Sequence, residues 1–333
     1  MTPRHHQPRV VIAGGGVAGL ETLLALRALA GRRVDITLLA PEPEFVVRAT
    51  TVGEPFDRAQ GRRLALAEVA AEHEAHLVAA GLASVDPVAH TVTTTTGTLL
   101  SYDVLVVATG ARAVEALPGA VTFRGRADVD ELRVLLDEVL AGQSHSVVFA
   151  LPRTMAWSLP LYELALMTSA LVVGAQVPDV ELTVVTPESE PLELFGSAAG
   201  RALRSLLTER GIDLLTRSRP ERIGPGGLVL EGGATLRADR VVSVPVLEGR
   251  PIAGLPATRR NFLPVDRHGR VRGLTDVYAA GDGADFPIKQ GGLGAQQADA
   301  VAQAIAHRAG AAVTPEPFRP VIRGLLLTGA APL

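Results

Sequence analysis

Arg9-Val10-Val11-Ile12-Ala13-Gly14-Gly15-Gly16-Val17-Ala18-Gly19-Leu20 is the stretch on which the reading of this chain turns. Its opening is a short apolar run with β-branched residues, as a buried parallel strand requires. Glycines then break the run. Leu20, Leu23, Leu24, Leu26 and Leu29 recur at helical spacing up to Gly31, which is placed to end the helix. Asp35 to Leu39 is a second apolar strand, and Ala40-Pro41-Glu42-Pro43 stops it. The order is strand, glycine turn, helix, strand, and within it Gly14, Gly16 and Gly19 fit G-x-G-x-x-G. The first glycine permits a tight turn, the second lets a pyrophosphate approach the backbone, and the third lets helix and strand pack closely. The helix start offers unpaired N–H groups to the phosphates. This setting predicts a dinucleotide site. One element is missing. The acidic residue that usually ends the second strand and holds a ribose hydroxyl is replaced by Ala40, with Glu42 two residues on. Glu42 either takes over that contact or is a solvated turn residue.

Further along, the pattern returns. Val147-Val148-Phe149-Ala150 reads as a strand, 161–171 as a helix, and Leu182-Thr183-Val184-Val185 as a strand ending in Thr186-Pro187-Glu188. The endings Ile36-Thr37-Leu38-Leu39-Ala40-Pro41-Glu42 and Leu182-Thr183-Val184-Val185-Thr186-Pro187-Glu188 are alike, which indicates a weak internal duplication of one βαβ unit. A third block, Asp276-Val277-Tyr278-Ala279-Ala280, runs into Gly281-Asp282-Gly283. An Ala-rich helix is expected from about 294 to 308, and an apolar tail follows from Val321.

With 333 residues the chain is long enough for two domains. Its net charge of -3 gives no pull toward nucleic acid or anionic membranes. It contains no cysteine, which excludes disulfides, thiolate metal sites and thiol catalysis. Histidines 73, 76 and 307 are expected on helices at polar positions, without metal-ligand spacing, so no metal site is expected. The stretch from Met1 to Pro8 lacks the features of a signal peptide, and no apolar run is long enough to span a bilayer. The expected location is the cytoplasm.

Ser101-Tyr102-Asp103-Val104-Leu105-Val106-Val107-Ala108-Thr109-Gly110 resembles the YDxLVxATG segment of two-dinucleotide-domain flavoproteins, and Thr275-Asp276-Val277-Tyr278-Ala279-Ala280-Gly281-Asp282 resembles their TxxVYAxGD segment. With the N-terminal glycines, the chain resembles the FAD-dependent pyridine nucleotide-disulfide oxidoreductases, in the branch of sulfide:quinone reductases and type II NADH dehydrogenases. The resemblance implies an α/β fold of two Rossmann-like domains, an FAD domain (1–122 and 262–310) interrupted by an NAD(P)-type domain (123–261), with a short C-terminal segment (311–333). It implies one FAD, contacted by Gly14, Gly16, Gly19, Glu42, Arg48, Thr109, Gly110, Gly281, Asp282 and Gln296. In the family Asp282 would meet the ribityl chain, and the helix start around 294–297 would face the isoalloxazine edge that becomes anionic on reduction. Glu163 aligns with an acidic residue that could relay a proton between cofactor and quinone. Lys289 falls where its charge could stabilise reduced flavin. Each also reads as an ordinary helix carboxylate or loop lysine.

Two departures matter. Ala150-Leu151-Pro152-Arg153-Thr154-Met155-Ala156-Trp157-Ser158-Leu159-Pro160 contains no glycine where a second nucleotide loop belongs, so tight NAD(P)H binding is not expected. Trp157 there reads as a packing residue. The cysteines through which sulfide:quinone reductases carry sulfur are absent, so that mechanism is excluded. The expected function is an FAD-dependent oxidoreductase with a quinone or small-molecule acceptor and an unidentified donor. The other readings are an NAD(P)H:acceptor reductase and a non-catalytic flavin-binding sensor. After Asp282 the chain is shorter than the family's. Leu325-Leu326-Leu327 reads as a remnant of a membrane- or quinone-contacting segment, leaving peripheral membrane contact open, or as a core strand cut short.

Overall fold

The computed structural model describes residues 7–58, 61–152 and 157–329, the side chains at 48 and 49 excepted. The chain divides into two compact units. The first comprises Met1–Val46, Arg63–Arg112 and Leu247–Val321, and the second Val47–Arg62, Ala113–Val246 and Ile322–Leu333.

The first unit is built on a five-stranded parallel sheet. Its spatial order is Val277–Ala279, Val104–Val107, Arg9–Ala13, Asp35–Leu39, His76–Val78. The chain's first strand is central, the next two lie on one side and the last two on the other, as in doubly wound nucleotide-binding sheets. Val104–Val107 is buried at every residue, as a strand covered on both faces must be. Helix Val17–Ala30 leaves the glycine turn and ends at Gly31, whose φ of 55° suits a glycine. It packs on helix Gly291–Arg308, which begins a turn before the expected start. Ala298, Val301, Ala302, Ile305 and Ala306 join Leu20, Leu23, Leu26, Val10 and Ile12 in one apolar core. The small side chains on the longer helix let the two backbones approach. An antiparallel meander, Leu82–Asp86, Thr91–Thr94 and Leu99–Ser101, precedes the fourth strand.

The second unit repeats this plan, with parallel strands in the order Val121–Thr122, Arg240–Ser243, Ser146–Ala150, Glu181–Val185, Ile212–Leu215. The register Arg9↔Asp35 through Ala13↔Leu39 recurs as Ser146↔Glu181 through Ala150↔Val185. The similar strand endings are therefore alike in position as well as in sequence. A second meander, Pro220–Gly224, Gly227–Leu230 and Thr235–Arg237, again precedes a strand that pairs with the central one, here Arg240–Ser243. Only the source of the edge strand differs: it comes last in the chain in the first unit and first in the second.

The units part at 112/113 and 246/247, where the sequence reading places 122/123 and 261/262. Segments 47–62 and 322–333 also go with the second unit. Packing explains both. Val52, Leu326 and Leu327 join the second unit's apolar core, and Arg133 donates to the Glu54 carbonyl at 3.0 Å. Helix Leu159–Gly174 runs beyond the expected 161–171 at both ends, with proline tolerated in its first turn. His76 lies on an exposed strand position, not on a helix. Residues 321–328 form neither helix nor strand, so the tail is not the core strand that was one of its two readings.

Candidate functional site

The turn after Arg9–Ala13 is shaped by three glycines with three different surroundings. Gly14 has φ +129°, and a Cβ there would lie 2.1 Å from the Ala108 carbonyl oxygen. A Cβ on Gly19 would lie 1.8 Å from the Gly14 carbonyl oxygen. These two are demanded by the protein's own packing. Gly16, at the N-cap of helix Val17–Ala30, is different: a Cβ there would meet nothing within 4 Å. Its backbone is open at the helix N-terminus. Gly15 is closed in its turn, its Cβ position lying 2.5 Å from a Leu66 methyl; the sequence motif leaves that residue unspecified.

Two more loops converge at the same end of the sheet. Thr109-Gly110 follows strand Val104–Val107, and Gly281-Asp282-Gly283 follows Val277–Ala279. Gly110 adopts φ +67°, and the Cβ position of Gly283 is 3.1 Å from the Gly110 carbonyl oxygen, so the two turns lie back to back. Gly281, at φ +80°, donates its N–H to Gln297 Oε1 at 2.7 Å. Gln297 thus braces the Gly281-Asp282 turn, a role the sequence did not single out. The neighbouring Gln296 instead holds Val321, donating to its carbonyl at 2.9 Å and accepting from its N–H at 2.9 Å. Beside Thr109 opens a cavity of about 420 Å³ lined by Leu82, Arg112, Arg250, Ile252 and Asn261 among others. Those residues carry no motif, and nothing in the sequence marked them.

Lys289 is the chain's one lysine; every other basic side chain among its 32 Lys and Arg residues is arginine. Its Nζ lies 3.8 Å from the centroid of the Phe262 ring and donates to the Ala284 carbonyl. Burial pushes the amine down to about 8, against the pull of Asp282 and Asp285. An arginine could not be deprotonated here, whereas an amine can. Glu42 is exposed on the turn after the second strand. The side chain of Arg48 lies outside the described residues; its backbone opens the 3₁₀ segment Arg48–Phe56.

In the second unit the position equivalent to Gly14 is Leu151. Gly14 N–H bonds to Leu39 O at 2.8 Å, and Leu151 N–H bonds to Val185 O at 2.8 Å in the same place. The Leu151 side chain is fully buried in the core. Residues 153–156 of the glycine-free loop lie outside the described residues. Trp157 packs on Phe195, ring centroids 5.6 Å apart, as expected of a packing residue. Glu188, the positional counterpart of Glu42, is buried and accepts from Ser158 Oγ (3.1 Å), Tyr162 Oη (2.6 Å) and Thr186 Oγ1 (3.0 Å). Burial and this carboxylate push the Tyr162 phenol up. The sequence showed Glu188 only as a repeated strand ending.

Glu163, on helix Leu159–Gly174, is 4% exposed and accepts the Leu327 N–H at 3.0 Å. Burial pushes its carboxyl up to about 8, with the Leu327 bond acting the other way. No cluster of potential metal ligands occurs among the described residues.

The family model for pyridine nucleotide-disulphide oxidoreductases matches residues 8–307. The chain belongs to that family. It is an FAD-dependent oxidoreductase. It is 28% identical over 307 residues to an NADH dehydrogenase-like protein of Mycobacterium tuberculosis, covering 82% of this chain and 72% of that one. To a sulfide-quinone reductase of Aquifex aeolicus it is 29% identical over 234 residues, covering 67% and 54%. The crystal structure of the sulfide:quinone oxidoreductase from Aquifex aeolicus superposes with a TM-score of 0.81 at 24% identity, covering 90% of this chain and 77% of that one. The first unit fits FAD on its own geometry, because the open backbone at Gly16 is the place a pyrophosphate needs. No helix among the described residues is long and apolar enough to cross a membrane.

Proposed function

We propose that this oxidoreductase passes electron pairs to a quinone or another small-molecule acceptor, from a donor other than a nicotinamide nucleotide. One observation carries the reading: in the second unit Leu151, buried in the core, stands where Gly14 makes its turn, and Glu188 is already bonded to three hydroxyls. Anaerobic mixing with NADH tests it, as argued in the Discussion.

Gly14, Gly16 and Gly19 with the start of helix Val17–Ala30 hold the FAD pyrophosphate; Thr109, Gly110, Gly281 and Asp282 line its path. When bound, the cofactor supplies two-electron transfer, and the chain supplies position, charge and protons. The Lys289 amine stands at the Asp282 turn and balances negative charge that develops on reduction. Glu163 takes up or releases a proton on the acceptor side.

Lys289→Met should lower the two-electron potential by about 30 mV, equivalent to about 1.4 kcal/mol. Above about pH 8 the amine is neutral in the oxidised protein, so reduction draws an extra proton to it; below that pH it is already charged. The wild-type potential should therefore fall more steeply with pH above about 8, and Lys289→Met should lose that break. Lys289→Arg should keep the charge and lose the break. Spectroelectrochemistry from pH 6 to 10 reads both, and an unchanged potential and slope in Lys289→Met makes this an ordinary loop lysine.

A chain without cysteine has no thiol pair to share electrons with the flavin. Methionine cannot substitute, since its thioether does not ionise. Anaerobic dithionite titration should reach full reduction at two electrons per FAD, with no thiolate charge-transfer band. Uptake of two further electrons would reveal a second redox group.

A further inference from the structure

Helix Leu159–Gly174 is buried at every residue from 161 to 169, so each of its sides is covered there, the one that carries Glu163 included. Leu159, Glu163, Met167 and Ala170 stand at spacings of four, four and three and share one face. Residues 324–329 lie along that face. The Cβ position of Gly324 is 3.1 Å from Leu159 Cδ2. Leu327 N–H bonds to Glu163. The Cβ position of Gly329 is 2.8 Å from the Ala170 Cβ and 3.6 Å from the Met167 Cα. Lengths agree: five extended residues cover about 16 Å, and eleven helical residues rise about the same. The two glycines let an extended chain lie directly on the helix, although it forms neither helix nor strand there. Its own side chains are divided, with Leu325 exposed and Leu326 and Leu327 packed on the second unit's core.

A neutral carboxyl can stay under this cover with one N–H to accept. An ionised one loses hydration that one N–H does not replace. We propose that residues 322–329 form a releasable strap over helix Leu159–Gly174, closed while Glu163 is protonated and released as its carboxyl ionises. Other charges nearby are engaged elsewhere. Arg58 donates to the Gly329 carbonyl. Arg133 bonds to Asp57 at 2.6 Å and to the Glu54 carbonyl. The Glu54 carboxylate accepts the Gly61 N–H at 2.9 Å and lies 3.8 Å from Arg126. Glu188 is held by its three hydroxyls, and Arg323 on the strap is exposed. The shift on Glu163 comes from burial, opposed by Leu327 N–H, and from no charged neighbour.

The sign follows from linkage. With the strap closed, Glu163 titrates at about 8; with it open, returning water moves it back toward the ordinary range. Closure is strongest below the open-state value, weakens by at most tenfold per pH unit as pH rises from there to about 8, and then levels off. At low pH the carboxyl is sealed from any reaction partner, and at high pH it is exposed and ionised. The strap is thus a gate on the residue assigned above to proton transfer.

Hydrogen–deuterium exchange of the FAD-loaded protein, corrected for intrinsic rates, reads the gate directly. Protection of amides 324–328 should fall several-fold per unit between pH 6 and 8 in wild type. In Glu163→Gln, a neutral isostere, protection should be high and flat. A flat wild-type profile, or the same slope in Glu163→Gln, overturns the proposal. Leu325→Cys gives an independent reading, since the chain has no other cysteine and this position is 59% exposed. A fluorophore there should gain mobility over the same pH range, and constant anisotropy overturns the proposal equally. Neither measurement uses an electron donor or acceptor, so failure of the strap and failure of the quinone reading are separate results.

Discussion

Gly16→Val should give a folded protein that carries no FAD. The reason lies in the contrast among the three motif glycines. A side chain at Gly16 meets no protein atom within 4 Å, so the fold has room for valine. The replacement at an N-cap costs well under the stability of a domain, about 1 kcal/mol. The same side chain projects into the space at the helix N-terminus that the pyrophosphate needs, and it removes the close backbone approach. Purified Gly16→Val should therefore be colourless, with a far-UV circular dichroism spectrum like that of wild type. Its melting temperature should fall by the cofactor's contribution, which depends on FAD concentration in the wild type, and by the small N-cap cost. Gly19→Ala should behave in the opposite way. Its methyl would sit 1.8 Å from the Gly14 carbonyl oxygen, so the helix must move off the strand and the protein should misfold or melt early. Yellow Gly16→Val with one FAD per chain would remove the first unit's glycine turn from the cofactor site.

That contrast also measures what the sequence could disclose. G-x-G-x-x-G already assigned the ligand to its second glycine and the fold to its first and third, and the surroundings of Gly14, Gly16 and Gly19 agree. What the motif did not give is which atoms crowd the two fold glycines: Ala108 and Gly14 itself are brought in by the packing of strand, turn and helix. The fold class was legible because alternating apolar strands and helices admit few topologies. The repeated ending at Glu42 and Glu188 was legible as a duplication, yet the two carboxylates have opposite fates, one exposed and one buried. The difference comes from Ser158, Tyr162 and Thr186, which have no counterpart pattern in a linear reading. The cavity at Arg112, Arg250 and Asn261 was illegible for the same reason: its walls come from segments far apart in the chain and without periodicity. Of the tail's two readings the core strand failed, because its glycines fit it to lie on a helix instead.

NADH, even at millimolar concentration under anaerobic conditions, should reduce the bound flavin very slowly. In a nucleotide-binding turn the residue after the first strand makes the tight turn that brings the following backbone to the pyrophosphate, as Gly14 does at φ +129°. Leu151 keeps the backbone bond of that position, to Val185, but sends a full side chain into the core. A pyrophosphate there loses its charge-assisted backbone contacts, each contributing about 1.5–3 kcal/mol. Losing two of them is a loss of about 3 kcal/mol or more, which weakens binding roughly 100-fold. The ribose fares no better. Its hydroxyls would need the carboxylate that ends the second strand, and Glu188 there already accepts three hydroxyl hydrogen bonds in a buried site. Freeing Glu188 leaves Ser158, Tyr162 and Thr186 short of a partner, a further cost of about 1 kcal/mol for each bond lost. Glu188→Ala should accordingly fail to create NADH oxidation, because the turn after Ala150 still lacks the glycines that a pyrophosphate needs. Stopped-flow absorbance of the flavin band, with dithionite as the positive control, measures both proteins. Rapid stoichiometric bleaching of the wild type at micromolar NADH would reverse the assignment and make the protein an NAD(P)H:acceptor reductase whose nucleotide is held by a different set of residues.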